Sequence, residues 1–480
     1  MRGAARQLRR LGAITSPPHL AAPLSPFHRR VLAEKLAIGS RRGPARLAWA
    51  LSGARVDLNP HQVEAAAFAL DSLRRGGCIL ADEVGLGKTI EAGLVLSQLM
   101  AEGKRRFLIV CPATLRMQWK CELEEKFEIH ADLVDGTTLH PPNPFDRSTA
   151  VICSLQFAAT RAGSLVGIPW DLVVIDEAHR LRNAHRATHK TGQALKGALR
   201  LRPKILLTAT PLQNSLLELF GLVSILDERL LGPEQSFRLR HESGVQDEQA
   251  IEELKDSLSH VVFRTLRRQV REYVRFTHRR SIVEDFAPSP EEQTLYDKVS
   301  DYLRRPDIAA IEPNRRTLLT LVYRKLLASS SFAIAPTLRK LAERLRTEGS
   351  PRAPSLIDGF DSEPLRAYLE QEDEWLDAPS DPKRAMPIEK EIEELERYAT
   401  LAEGIQINAK GEALIKALDR TFTVARAHQW PEKAVVFTES KRTQAYLFRL
   451  LGERGYREQI SLLSGDGAGP AQRSGIIEEF

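Results

Sequence analysis

Three short stretches hold residue types that could act together on a phosphate. The first is Ala81-Asp82-Glu83-Val84-Gly85-Leu86-Gly87-Lys88-Thr89. Gly85 and Gly87 let the backbone curl so that its N–H groups face an anion, and a helix starting there adds a partial positive charge. Lys88 is placed to reach the β- and γ-phosphates of a nucleoside triphosphate, and the Thr89 hydroxyl to ligate Mg²⁺. Asp82 stands where the strict G-x-x-x-x-G-K-[ST] pattern has its first glycine. The shorter G-x-G-K-[ST] core arises by chance in a chain of this length roughly once per hundred.

The second stretch, Leu172-Val173-Val174-Ile175-Asp176-Glu177-Ala178-His179, is an apolar run that delivers two adjacent acids at its end. Side chains alternate along a strand, so the two acids point differently and take different work. Asp176 would hold Mg²⁺, and Glu177 would orient and deprotonate an attacking water. His179 fits a coupling role better than metal binding. The third, Leu206-Leu207-Thr208-Ala209-Thr210-Pro211-Leu212-Gln213-Asn214, ends another apolar run with hydroxyls. Thr208 and Thr210 would sense the terminal phosphate and pass on its presence. Two weaker signals flank these. In Leu58-Asn59-Pro60-His61-Gln62 the Gln62 amide matches an adenine edge. In Pro112-Ala113-Thr114-Leu115-Arg116-Met117-Gln118-Trp119-Lys120, Arg116 and Gln118 are free to meet nucleic-acid phosphates, while Trp119 reads as core.

The elements that must position these residues follow from the apolar pattern. Strands are expected at Cys78–Ala81, Phe107–Cys111, Ala150–Ser154, Leu172–Ile175 and Ile205–Thr208. Helices are expected at Ala65–Arg75, Thr89–Ala101 and Thr114–Phe127. Short, wholly apolar strands separated by helices mean a parallel sheet covered on both faces, an α/β architecture that binds ligands beyond the carboxyl ends of its strands. From about Leu216 to Leu395 the alternation gives way to a charged, helical pattern, with loop-like breaks at Gly349–Pro364 and Asp377–Pro387. Alternation resumes with a helix at Lys410–Arg420, a strand at Ala434–Thr438, a helix at Ser440–Arg454, a strand at Ile460–Ser464 and the start of another helix at Ala471.

Composition narrows the class. With 480 residues, 42% hydrophobic and 28% charged, the chain is globular and exceeds one ordinary core. No apolar run approaches the ~20 residues of a membrane span. Cys78, Cys111, Cys121 and Cys153 lack C-x-x-C spacing and read as reduced thiols of a cytoplasmic protein. Residues 1–50 hold ten Lys/Arg against Glu34, a charge of +9, so the other 430 residues sum to −3 of the total +6. Such a basic arm suits a polyanion; a solvated leader is the plainer alternative.

In this order, the boxes resemble helicase superfamily two. Asp82–Thr89 is similar to its motif I, Asp176-Glu177-Ala178-His179 to motif II in its DEAH spelling, Thr208–Gln213 to motif III, and Gln62 to the adenine-reading Q position. Within that superfamily the wording resembles Swi/Snf-type ATPases of the bacterial HepA/RapA branch. Phe263-Arg264-Thr265-Leu266-Arg267-Arg268 with Gln293-Thr294-Leu295-Tyr296 looks like their lobe-linking segment. The 225 residues from Thr210 to Val435 match their helical insertions, Val435–Ser440 resembles motif IV, and Ser464-Gly465 with Arg473 resembles the segment after it.

The resemblance implies a P-loop, RecA-like parallel lobe at 55–235 after a basic arm at 1–54. Helical insertions and a linker at 236–400 and the start of a second, incomplete RecA-like lobe at 401–480 complete the expectation. It further implies ATP and Mg²⁺ as cofactors, hydrolysis coupled to translocation on double-stranded DNA, a protein target on that DNA, and a nucleoid location if bacterial. No Q-x-x-x-x-R-x-G-R-like phrase occurs, so motifs V and VI, with their arginine fingers, are expected from a C-terminal continuation or a partner chain. Such fingers are worth ~10³–10⁵ in rate, so slow hydrolysis by this stretch alone is expected. Two alternatives stay open: a true strand-separating helicase on DNA or RNA, and a non-catalytic, ATP-gated nucleic-acid-binding module.

Overall fold

Runs such as Phe107-Leu108-Ile109-Val110-Cys111 are apolar at every position, so each needs cover on both faces. The computed structural model supplies it. It describes residues 43–136, 143–146, 149–212, 215–241, 248–277, 281–305, 308–311, 330–348, 387–405, 408–438 and 440–463, with isolated positions at 30, 320, 323–324, 327, 475–476 and 480. The chain divides into two units, Met1–Phe276 and Thr277–Phe480.

The first unit is built on seven strands: β1 (Gly77–Leu80), β2 (Phe107–Cys111), β3 (Ala131–Val134), β4 (Ala150–Ser154), β5 (Leu172–Ile175), β6 (Lys204–Leu207) and β7 (Val262–Phe263). They lie in the order β3-β4-β2-β5-β6-β1-β7, every neighbouring pair parallel. Alternate residues feed two separate cores. Cys78, Leu80, Ile109, Cys111, Val174 and Ile205 pack with helices α1 (Pro60–Ser72), α2 (Lys88–Ala101) and α3 (Arg116–Phe127). Ile79, Leu108, Val110, Val173, Ile175 and Leu206 pack on the other face with α4 (Leu216–Leu226) and shorter helices. The α/β class with a parallel sheet is therefore as expected from the sequence.

Two boundaries move. The unit runs to Phe276, past the expected limit at 235, because β7 follows α5 (Glu248–Ser259) and pairs beside β1. The basic arm expected over 1–54 is also shorter. Residues 43–53 fold as two helical turns whose Leu47 and Ala50 are buried. Arg46 there is a structural residue. Its guanidinium grips the Glu102 carboxylate through two bonds of 2.7 and 2.8 Å and donates to Leu70 O at 3.0 Å. The other arm cations except Arg30 lie outside the described residues, as do Gln213, Asn214, Glu439, Ser464, Gly465 and Arg473.

The second unit holds α6 (Pro290–Arg304), α7 (Ser331–Glu348), α8 (Ile388–Gly404), α9 (Ala409–Ala427) and α10 (Lys441–Leu451). Leu295, Val299, Leu338, Leu341, Leu345, Leu395 and Ala399 form its main core. Its anchor is a buried polar cluster. Buried Glu391 accepts from Tyr302 Oη at 2.8 Å, Ala309 N at 2.9 Å and Ala310 N at 3.0 Å. The helices expected at Lys410–Arg420 and Ser440–Arg454 are present and the one expected from Ala471 lies largely outside the described residues, but the strands expected at 434–438 and 460–464 are not formed by the described residues there. Residues 434–438 and 460–463 form no ladder, and Phe437 is 90% exposed. A strand exists only when a neighbour takes its N–H and C=O groups, and none of the described residues does so here. Among the described residues no helix is long and apolar enough to cross a membrane.

Candidate nucleotide site

The chemistry-bearing residues gather at the carboxyl edge of three adjacent strands. Leu80 pairs with Leu207, and Ile175 with Leu206, so β1, β6 and β5 end side by side. Their extensions are the loop from Ala81, then Thr208, then Asp176. Neighbouring strands lie about 4.8 Å apart, which sets the loop and Asp176 roughly 10 Å from each other across Thr208. Such an edge, where loops leave a parallel sheet, is where ligands of α/β folds bind.

The loop is held with its carbonyls tied back. Asp82 O accepts from Lys88 Nζ at 2.8 Å. Val84 O accepts from Arg267 Nη2 at 2.6 Å and Nε at 3.2 Å. Leu86 O is met by both Gln62 Nε2 and His61 Nε2 at 2.9 Å. Gly85 and Gly87 take the left-handed φ values of +83° and +96° that this curl requires. The amides of Gly85, Gly87, Lys88 and Thr89 donate to no acceptor among the described residues. They and the amino end of α2 are the cradle an anion needs.

Gln62 is engaged by the protein at both ends of its amide. Its Oε1 accepts from Asn59 N at 3.1 Å, capping α1, while its amide nitrogen holds Leu86. One amide hydrogen and one lone pair remain for an adenine edge.

Asp176 and Glu177 diverge as expected, by a mechanism the pattern did not show. Asp176 Oδ2 accepts from Trp119 Nε1 at 2.8 Å and Oδ1 from Glu177 N at 2.8 Å. Burial raises the Asp176 carboxyl, and those two donors pull it back down. Each oxygen keeps a lone pair. Glu177 adopts a left-handed φ of +49°, which turns its side chain out of line with the strand. Its carboxylate lies 3.0 Å from His179 Nδ1, and the imidazole lowers its pKa below the usual value. The Lys88 charge lowers both acids, as a minor contribution beside burial and hydrogen bonding. Thr208 is buried and its hydroxyl accepts from Thr210 N at 3.2 Å.

Arg116 and Gln118 stand apart from this cluster. Arg116 is ion-paired with Asp135 at 3.3 Å, and Gln118 donates to Glu122 at 2.8 Å. Trp119 is core, as its pattern implied, and also the donor that aims Asp176. An indole N–H needs a partner when buried, a general signal that points to no particular acid. The four thiols are free, and only Cys121 is exposed. Among the described residues no His, Cys, Asp and Glu cluster forms a dedicated metal cage. The donor set nevertheless suits Mg²⁺: one carboxylate with spare lone pairs and one hydroxyl, the remaining positions left to phosphate and water.

A parallel sheet covered on both faces, with an anion cradle after its first strand and oriented acids across from it, defines a P-loop nucleotide-binding unit. A family model for the SNF2-related domain matches residues 61–344, and the chain belongs to that family. It is 34% identical over 288 residues to the uncharacterized ATP-dependent helicase YqhH of Bacillus subtilis, covering 59% of this chain and 49% of that one. It is 39% identical over 197 residues to the RNA polymerase-associated protein RapA of Pectobacterium atrosepticum, covering 39% and 20%. The matched stretch thus spans about half of YqhH and a fifth of RapA. The SWI2/SNF2 ATPase core from Sulfolobus solfataricus, solved with double-stranded DNA, superposes with a TM-score of 0.41 at 21% identity, covering 67% of this chain and 66% of that one.

Proposed function

We propose that this chain binds Mg-ATP on the loop 81–89 and couples its hydrolysis to movement on double-stranded DNA. One observation carries the nucleotide half of this reading: the amides of Gly85, Gly87, Lys88 and Thr89 donate to no acceptor among the described residues, while the Lys88 ammonium rests on the same loop at Asp82 O. Thr89 and Asp176 are the residues that would hold Mg²⁺, which when bound would neutralise charge on the β- and γ-phosphates. Lys88 would leave Asp82 O to meet the same oxygens. Glu177, kept ionised by His179, is suited to orienting water by accepting its hydrogen bond. A carboxylate with a lowered pKa is a weak base, so positioning carries more of its effect than proton abstraction. Thr208 and Thr210 are suited to relaying occupancy of the site.

The DNA half rests on family membership and on the boxes being spelled as in duplex-tracking motors. Arg116 and Gln118 are candidates for phosphate contact, with the Asp135 pair given up on binding. RapA is named for its association with RNA polymerase, which makes polymerase the first protein target to test. Full turnover also calls for arginine fingers from further chain or a partner. The experiment is ATP turnover by the full-length protein with and without duplex DNA, beside displacement of a triplex-forming strand. Duplex-stimulated turnover with triplex displacement, both lost in Glu177→Gln, is expected. Strand separation without triplex displacement would replace translocation with helicase action.

A further inference from the structure

The segment after β7 was expected only to link two lobes, yet it forms one wall of the phosphate loop. Beyond the short ladder of β1 and β7 the two strands stay zipped together. Ala81 N donates to Phe263 O at 2.7 Å and Glu83 N to Thr265 O at 3.1 Å. Thr265 N returns a bond of 2.6 Å to Asp82 Oδ1, and Arg267 N donates to the Glu83 carboxylate. The Arg267 side chain then crosses the loop. Its guanidinium donates twice to Val84 O and lies 5.3 Å from the centre of the Phe276 ring. A Cβ built on Gly85 would sit 3.4 Å from Arg267 Nη2. Arg267 is thus packed against the very peptide that must present an amide to phosphate.

That peptide links Val84 to Gly85, and its two polar groups point opposite ways. If Val84 O is held outward, the Gly85 N–H is aimed inward. Released, the unit can flip, since glycine tolerates either orientation, and a flip would turn a carbonyl toward the phosphate. We infer that Arg267 is a positioning residue for the triphosphate, holding the Val84–Gly85 peptide with its N–H inward. The inference rests on the nucleotide reading above and assigns Arg267 no contact with the ligand.

The test is equilibrium binding of a fluorescent ATP analogue with Mg²⁺ to the full-length protein, beside thermal unfolding. Arg267→Met keeps an unbranched stem of similar bulk and removes the guanidinium, with its donors to Val84 O and its charge over Phe276. It is expected to weaken binding about tenfold, the scale of one charge-assisted hydrogen bond. Arg267→Lys, which can still reach Val84 O, should recover much of the loss, and Arg268→Ala, at an exposed neighbour, should bind as wild type. Equal affinity for wild type and a folded Arg267→Met overturns the inference while the nucleotide reading stands. No binding by wild type overturns both. Should the methionine variant fail to fold, hydrogen exchange on wild type decides. Residues 264–267 and 83–88 are expected to gain protection together when ATP is added, and protection confined to 83–88 overturns the inference.

Discussion

Glu91 sits one turn into α2 with no exposure to solvent, its carboxyl set against that of Asp82. Burial raises its pKa well above the usual value, the Asp82 carboxyl raises it further, and Lys88 only partly offsets them. The folded chain therefore holds a proton on Glu91 that the unfolded chain releases above about pH 4.5. The sign follows from linkage: where the folded state binds more protons, stability falls as pH rises. The fall is about 1.4 kcal/mol per pH unit for as long as the buried carboxyl stays protonated. Glu91→Gln has the same shape and no proton to lose, so this component of the slope should vanish and the variant should be the more stable at pH 7.5. At roughly 2–4 °C per kcal/mol for a unit of this size, the gain is readable in the melting of the first unit, followed by the buried Trp119 without nucleotide. Parallel pH profiles for wild type and Glu91→Gln would refute the argument.

Trp119→Phe removes the donor on Asp176 Oδ2 while keeping most of the buried volume; it should weaken Mg-dependent nucleotide binding about ten- to a hundredfold, at roughly 1.5–3 kcal/mol per bond to a charged group, and leave Mg-free binding unchanged in parallel titrations. Gly77 has φ +129°, and a Cβ there would lie 1.7 Å from Lys204 O. Gly77→Ala should cost about 3 kcal/mol or more in urea unfolding of the first unit, since both the backbone and the β1–β6 pairing must move. Glu391→Gln turns an amide toward three donors that now share one carboxylate; it should destabilise the second unit by about 1–3 kcal/mol and leave nucleotide affinity unaltered.

What was legible in the sequence was whatever a strand buried on both faces must spell. β2 and β5 begin and end where their apolar runs do, and β4 runs one residue past its own to half-buried Ser154, because apolar residues fill the positions covered on both faces. β3 escaped because it is an edge strand, with Asp132 exposed and Leu133 half-buried. β7 is two residues long, too short for any period. The strands expected at 434–438 and 460–464 had the right residues but no pairing partner among those described, and local pattern carries no information about partners. At the site, the glycines, Lys88, Thr89 and the Asp176-Glu177 pair were legible because their chemistry fixes their spacing along the chain. Trp119, Arg267 and buried Glu91 were not, because each acts through contacts made only in the fold; Arg267 meets Val84 across a sequence separation of 183.

The central claim is that the loop 81–89 is a triphosphate site completed by Asp176. Calorimetric titration of folded, full-length protein with ATP, with and without Mg²⁺, tests it most directly. A single saturable site is predicted, tightened by Mg²⁺ and abolished by Lys88→Ala, with the metal effect lost in Asp176→Asn. Absence of measurable binding by folded wild type, or binding indifferent to both substitutions, would contradict it.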